Sequence, residues 1–141
     1  MTAADGRAIG YILLYGSLRR GQANFARMGL QQALRFVRTV RFAGVMYDLG
    51  DYPGVVEGDG EVTGELFAIL DPGVVARLDL FEMYRPDDPA PYDPTTGRGS
   101  LYLRKPLKTG RTTAYCYLYN GPDDTLTTPV PSGDWVRRRG F

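Results

Sequence analysis

Ile12-Leu13-Leu14-Tyr15-Gly16-Ser17-Leu18-Arg19-Arg20-Gly21 is the stretch that organises the chain. It starts as a short apolar run of strand length and breaks at two glycines, the pattern of a buried strand entering a tight loop. Gly16 removes the side chain where the backbone turns. The N–H groups of Gly16, Ser17 and Leu18 are then free to converge on one point, an anion-binding concavity suited to a carboxylate or a phosphate. The same letters also fit a glycine that only turns the chain, followed by two solvated arginines, Arg19 and Arg20. The Gly-Lys-Ser/Thr ending of a P-loop is missing, and no acidic partner for magnesium is evident.

The whole chain has the length of one domain, 141 residues, and its 43% hydrophobic content suffices for a core. Basic and acidic residues nearly balance, 17 against 16, so no global field draws the protein to nucleic acid or to an anionic membrane. A single cysteine excludes an internal disulfide, and the lack of histidine removes the usual zinc sets and any Ser-His or Cys-His relay. Catalysis is thereby left to carboxylates, hydroxyls, lysines or backbone groups. No apolar span approaches about 18 residues and no secretory hydrophobic region precedes the first strand, so a cytoplasmic protein without membrane contact is expected.

Along the chain, residues 1–10 read as a loose leader with nothing to bury. Asn24 is placed to cap a short helix from Phe25 to about Leu34, weakened in its middle by Gly29. Val40 to Asp48 predicts a strand buried on both sides or nearly so, and residues 49–54 carry turn chemistry. Val55-Val56 and Glu61 to Ile69 flank Gly58-Asp59-Gly60, a hairpin signal. Asp71-Pro72 opens a second helix. Residues 85–98 hold four prolines without periodicity, so they predict a long loop, usually a lid or disordered. Leu101 to Leu107 and Thr112 to Tyr119 form another hairpin, with Ala114, Cys116 and Leu118 on one face and three tyrosines on the other. Cys116 reads as a small core residue, since no base is near it in sequence. Residues 129–141 read as a tail with a solvated arginine-rich end. The sum is a single α+β domain over residues 1–141, with about six strands curling toward a small barrel and two short helices.

Glu82 is the one acid on the apolar stripe of the second helix, with Val75 and Leu78, whereas Asp79 and Asp87 can reach water. Desolvation and the negative end of the helix dipole both favour its neutral form, which suits a group that picks up and returns a proton near neutral pH. An acid that merely ends a helix has the same letters.

Tyr15-Gly16-Ser17-Leu18-Arg19-Arg20-Gly21-Gln22-Ala23-Asn24, residues 44–54, Gly64-Glu65-Leu66-Phe67, Leu78-Asp79-Leu80-Phe81-Glu82-Met83-Tyr84 and Tyr102-Leu103-Arg104 occur in one order. In that order they resemble the gamma-glutamylcyclotransferase-like family, which includes gamma-glutamylamine cyclotransferase and the AIG2-like proteins. The resemblance runs from about Tyr11 to Tyr119. It implies a small mixed α/β barrel with one cavity, no cofactor and no metal. The loop Tyr15, Gly16, Ser17 and Leu18 would hold the substrate's α-carboxylate, and Glu82 would be the acid/base that cyclises a small γ-glutamyl amine or peptide to 5-oxoproline. Phe25 departs from the histidine of many relatives. The proline-rich segment 85–98, with Tyr92 as its contact residue, is placed to roof the cavity and choose substrates. A binding module that keeps the cavity and turns over nothing is the alternative, and the retained Glu82 favours the enzyme.

Overall fold

The computed structural model describes residues 9–137. Its strands are β1 (Tyr11–Leu14), β2 (Leu34–Asp48), β3 (Pro53–Ile69), β4 (Tyr102–Thr109) and β5 (Thr112–Tyr119). They form one sheet in the order β2-β3-β1-β5-β4. The apolar run is therefore its middle strand: Ile12, Leu13 and Leu14 are at most 3% exposed. Ile12 and Leu14 enter one core while Leu13 and Tyr15 enter a second, as the two-residue period of a strand buried on both faces requires. β1 pairs antiparallel with β3 and parallel with β5, so Leu13 lies between Leu66 and Cys116. On β5 the alternation holds as read, with Ala114, Cys116 and Leu118 on one core and the three tyrosines on the other.

The fold class is the α+β one expected, a curled open sheet with helices, but the described residues hold five strands and three helices. Each difference has a local cause. Gly58-Asp59-Gly60 makes no hairpin. β3 runs through it, and residues 57–60 stand opposite Gly44 as a wide irregularity between the pairs Ala43↔Glu61 and Val45↔Val56. The glycines leave room for this approach, because a Cβ at Gly60 would lie 2.6 Å from the Gly44 carbonyl oxygen. The expected first helix is split into α1 (Ala23–Arg27) and α2 (Leu30–Ala33). Gly29 between them is left-handed, φ 66°, and Leu34 already belongs to β2. α3 is Val74–Phe81, starting after Gly73, whose N–H is accepted by Asp71 Oδ1 at 3.0 Å.

Three further expectations are corrected. β2 is buried on one face only, since Val40, Phe42, Gly44 and Met46 are covered while Arg41 and Ala43 are exposed. The end of the leader is part of the fold: Ile9 is buried, and Gly10 O accepts from Ile69 N at 2.9 Å. Residues 1–8 lie outside the described residues. The beginning of the tail also packs, with Val130 and Trp135 buried, Val130 N donating to Met46 O and Thr63 N donating to Gly133 O, both at 2.8 Å. Its arginine-rich end beyond Arg137 lies outside the described residues.

Candidate active site

Tyr15, Gly16, Ser17, Leu18 and Glu82 all line one pocket of about 270 Å³ at the end of β1. Asn24, Asp51, Tyr52, Pro53, Phe81, Met83, Leu101, Tyr102 and Tyr117 complete much of its wall. The loop after β1 is turned by Arg19 N donating to Gly16 O at 3.0 Å and Gln22 N donating to Arg19 O at 3.1 Å. Among the described residues the amides of Gly16, Ser17 and Leu18 make no backbone hydrogen bond. Three adjacent donors at a pocket wall are what an anion needs. Asn24 is not a cap: it sits inside α1 behind Gln22, and its Nδ2 donates to Ser17 Oγ at 3.3 Å.

The loop is held from beneath by charged groups, among them Arg19, which the plain-turn reading of the sequence leaves solvated. Arg19 is only 8% exposed, with Nη1 2.7 Å from Asp134 Oδ1 and Nη2 3.7 Å from Glu65 Oε2. Glu65, buried on β3, also accepts from Arg20 N at 2.8 Å. Arg20 is exposed, but its guanidinium stacks 3.3 Å from the centre of the Phe36 ring. Glu65 is a residue that sequence reasoning missed. The available signal was a lone carboxylate in the apolar run Leu66-Phe67 of a central strand, where an unpaired charge would be costly.

Glu82 caps the C-terminal end of α3. Its N–H is accepted by Leu78 O (2.8 Å), Met83 N donates to Leu80 O (3.2 Å) and Tyr84 N to Asp79 O (2.9 Å). That is a Schellman ending, which calls for a left-handed residue at Met83. Met83 has φ 55° and is the one non-glycine with positive φ among the described residues. The strain lies directly beside the candidate acid/base. Met83→Gly should therefore be more stable than Met83→Ala by about 1 kcal/mol, both having lost the side chain but only glycine relieving the backbone. Denaturant midpoints of the two variants check this, and an alanine variant at least as stable would contradict it.

The Glu82 residue is half-buried because it borders the pocket, but its carboxyl is withdrawn from bulk water, and burial pushes its pKa up to about 8. Among the described residues no side-chain hydrogen bond or ion pair offsets that burial. The tyrosines around it turn their hydroxyls into the protein. Tyr15 donates to Tyr117 O, Tyr102 to Pro53 O and Tyr117 to Asp79 Oδ1, each at 2.6 Å. Burial raises all three above the usual phenol range, so none supplies a base near neutrality. Cys116 is buried in the sheet with its thiol pushed up to about 12, as a core residue rather than a nucleophile.

The raised carboxyl has a stability consequence with a definite sign. The folded state holds the Glu82 proton more tightly than the unfolded chain, for which the ordinary value is 4.5. Its contribution is fully present below that value and is lost as pH rises through about 8. Relative to Glu82→Gln, the wild type should lose stability between these limits by at most about 1.4 kcal/mol per pH unit. Urea unfolding of both proteins at several pH values checks this, and parallel pH curves would refute it.

Two other placements differ from expectation. Asp79 does not reach water freely: Arg104 donates to both its carboxylate oxygens, from Nε at 2.9 Å and from Nη2 at 3.2 Å. Residues 85–98 do not roof the pocket, and none lines it. They fold on themselves instead, with Arg85 Nη1 donating to Gly97 O at 2.6 Å, Gly99 N to Asp88 Oδ2 at 2.9 Å and Asn120 Nδ2 to Ala90 O at 3.1 Å. Tyr92 is pinned by its own N–H to Asn120 O at 3.0 Å. Among the described residues no group of three His, Cys, Asp or Glu side chains is arranged to hold a metal, and no helix is long and apolar enough to cross a membrane.

Around one pocket at the end of β1 the fold gathers residues Tyr15 to Leu18 and the desolvated Glu82 carboxyl, and the chain belongs to the gamma-glutamyl cyclotransferase, AIG2-like family, whose model matches residues 12–137. It is 35% identical over 127 residues to the gamma-glutamylcyclotransferase family protein YtfP of Escherichia coli K12, covering 90% of this chain and 96% of that one. The solution NMR structure of ytfP from Escherichia coli aligns with a TM-score of 0.63 at 29% identity, over 92% of this chain and 98% of that one. A crystal structure of an aig2-like protein from Mus musculus aligns at 0.56 with 24% identity, over 86% and 84% of the two chains, and bears on the fold alone.

Proposed function

We propose that the protein cyclises a small γ-glutamyl compound, releasing 5-oxoproline and a free amine or amino acid. The amides of Gly16, Ser17 and Leu18 hold the α-carboxylate. The α-amine attacks the γ-carbonyl carbon, a C–N bond closes the ring, and the amide C–N bond to the leaving group breaks. The α-ammonium gives up two protons on its way to the lactam N–H and the departing nitrogen takes up two to leave as an ammonium, with Glu82 as the relay that accepts a proton on one side and returns it on the other, so the reaction neither consumes nor releases a net proton. Holding amine and carbonyl together turns a flexible chain into a near-attack geometry. A carboxyl whose pKa lies near 8 exchanges protons with amines far more readily than an ordinary one.

The observation that carries this reading is that Glu82 and the loop residues Tyr15, Gly16, Ser17 and Leu18 line the same pocket of about 270 Å³. That volume, just below the usual range for drug-sized ligands, fits a small substrate. The test is incubation with a panel of γ-glutamyl amines and peptides and mass-spectrometric detection of 5-oxoproline. Binding without release of 5-oxoproline from any member would make the protein a binding module instead.

A further inference from the structure

Asp134 follows Arg19 by 115 residues in the chain and reaches back to it at 2.7 Å. The segment that carries it is docked along its length. Pro129 forms a bridge with Tyr47, Val130 N donates to Met46 O, and Thr63 N donates to Gly133 O. Val130 and Trp135 enter the core that also takes Leu13 and Tyr15, the residues leading into the loop after β1. Gly133 turns the segment with φ 66°, and a Cβ there would run into the Glu61 carbonyl oxygen, so glycine is what brings it this close to β3.

The Asp134 carboxylate is aimed by its own neighbours. Its Oδ1 accepts from Val136 N at 3.1 Å as well as from Arg19 Nη1, and its N–H donates to Ser132 Oγ at 3.2 Å. At the other end of the guanidinium, Arg19 Nη2 faces Glu65 Oε2, while the buried Nε has no partner among the described residues. Two carboxylates from distant elements therefore set where this side chain lies. Charge-assisted bonds of this length between mostly buried groups are the strong ones. The backbone of the same residue closes the loop, its N–H donating to Gly16 O and its carbonyl accepting from Gln22 N. Fixing Arg19 thus fixes the turn that presents the amides of Gly16, Ser17 and Leu18.

We propose that Asp134 is a positioning residue for substrate binding: acting through Arg19, the docked segment 129–135 holds the amides of Gly16, Ser17 and Leu18 in the shape that accepts the α-carboxylate. This rests on the cyclotransferase reading for what those amides bind and adds the element that keeps them in place. Asp134 itself is absent from the pocket wall. Its loss leaves Arg19 facing Glu65, so the guanidinium is not stranded as an unpaired buried charge and the fold survives.

Asp134→Ser separates this role from capping, because serine still offers an oxygen to Val136 N and is too short to reach Arg19. Binding of γ-glutamyl-butylamide is read by calorimetry in proteins that also carry Glu82→Gln, so that the probe persists. Loop order is read without ligand, by amide hydrogen exchange followed by NMR. Asp134→Ser should bind the probe about tenfold more weakly and exchange the Arg19 and Gln22 amides faster by a similar factor. The amides of Thr63 and Val130, which report docking of the segment, should keep their protection. Asp134→Asn, which spans the same distance and lacks only the charge, should recover most of the affinity. Unchanged affinity in Asp134→Ser, no recovery in Asp134→Asn, equal loss of protection at Thr63 and Val130, or no binding of the probe by the parent protein would overturn the proposal. Release of 5-oxoproline from the same probe with Glu82 intact reports separately on cyclisation. Weakened binding and faster loop exchange without any release would sink the cyclotransferase reading and leave the positioning role standing.

Discussion

Glu82→Gln should lower turnover of an accepted γ-glutamyl substrate by on the order of 10² to 10⁴, the usual worth of a positioned acid/base. Glutamine keeps the size and the hydrogen-bonding capacity of the side chain and removes only its ability to exchange a proton. The fall should appear in kcat, with little change in KM, because the groups assigned to the α-carboxylate are backbone amides on a different element. A carboxyl with a pKa near 8 is about one-tenth ionised at pH 7, so the wild-type rate should climb as the base form appears and fall at higher pH as the substrate's α-ammonium, the source of the proton returned to the leaving nitrogen, is lost. Steady-state kinetics across pH decide the matter. A glutamine variant that works at the wild-type rate, or a wild-type profile flat through this region, would move the proton transfer to another group.

What the sequence made legible was local or nearly so. An apolar run closed by Gly16 can only be a buried strand entering a turn, and β1 is the middle strand of the sheet. Glu82 was legible because helical periodicity sets it on the stripe of Val75 and Leu78 whatever the tertiary context, and burial of that stripe is enough to raise its pKa. The pocket joins these two features across a wide separation in sequence. Their convergence was accessible only through the order of motifs that the family shares.

What stayed hidden depends on partners far away in the chain. Arg19 reads as solvated because nothing near it in sequence balances its charge; its carboxylates come from β3 and from the segment before Trp135. Asp79 looks free for the same reason, its partners Arg104 and Tyr117 lying on β4 and β5. Gly58-Asp59-Gly60 has hairpin letters, but the strand continues because β2 supplies pairing on both sides of it. The proline-rich segment 85–98 was expected over the cavity on chain proximity to Glu82. The left-handed turn at Met83 redirects the chain, and Leu101 N donating to Met83 O at 3.0 Å brings it back with the loop folded on itself.

Gly16→Val should weaken binding of a γ-glutamyl ligand by ten- to a hundredfold, equivalent to about 1.4 to 2.7 kcal/mol, while cooperative unfolding persists. A Cβ at this position would lie 2.7 Å from Pro53 Cγ and 2.9 Å from Cδ, closer than atoms tolerate. The proline is poorly placed to give way: its ring fixes φ, Tyr102 donates to its carbonyl at 2.6 Å, and it is paired with Asp48 at the start of β3. The loop must move instead, and the loop carries the amides of Ser17 and Leu18. A displaced amide loses a charge-assisted hydrogen bond to the carboxylate, worth about 1.5 to 3 kcal/mol. The fold should lose less than it can afford, about 1 to 3 kcal/mol for overpacking at one site, since both cores lie behind β1 and keep their contacts. Gly16→Ala should act in the same direction and more weakly, which separates crowding by the Cβ from the added stiffness of a β-branched residue. Ligand titration alongside denaturant unfolding provides the two readouts. Wild-type affinity in the valine variant, or loss of its cooperative transition, would remove the loop from its assigned role as the carboxylate clamp.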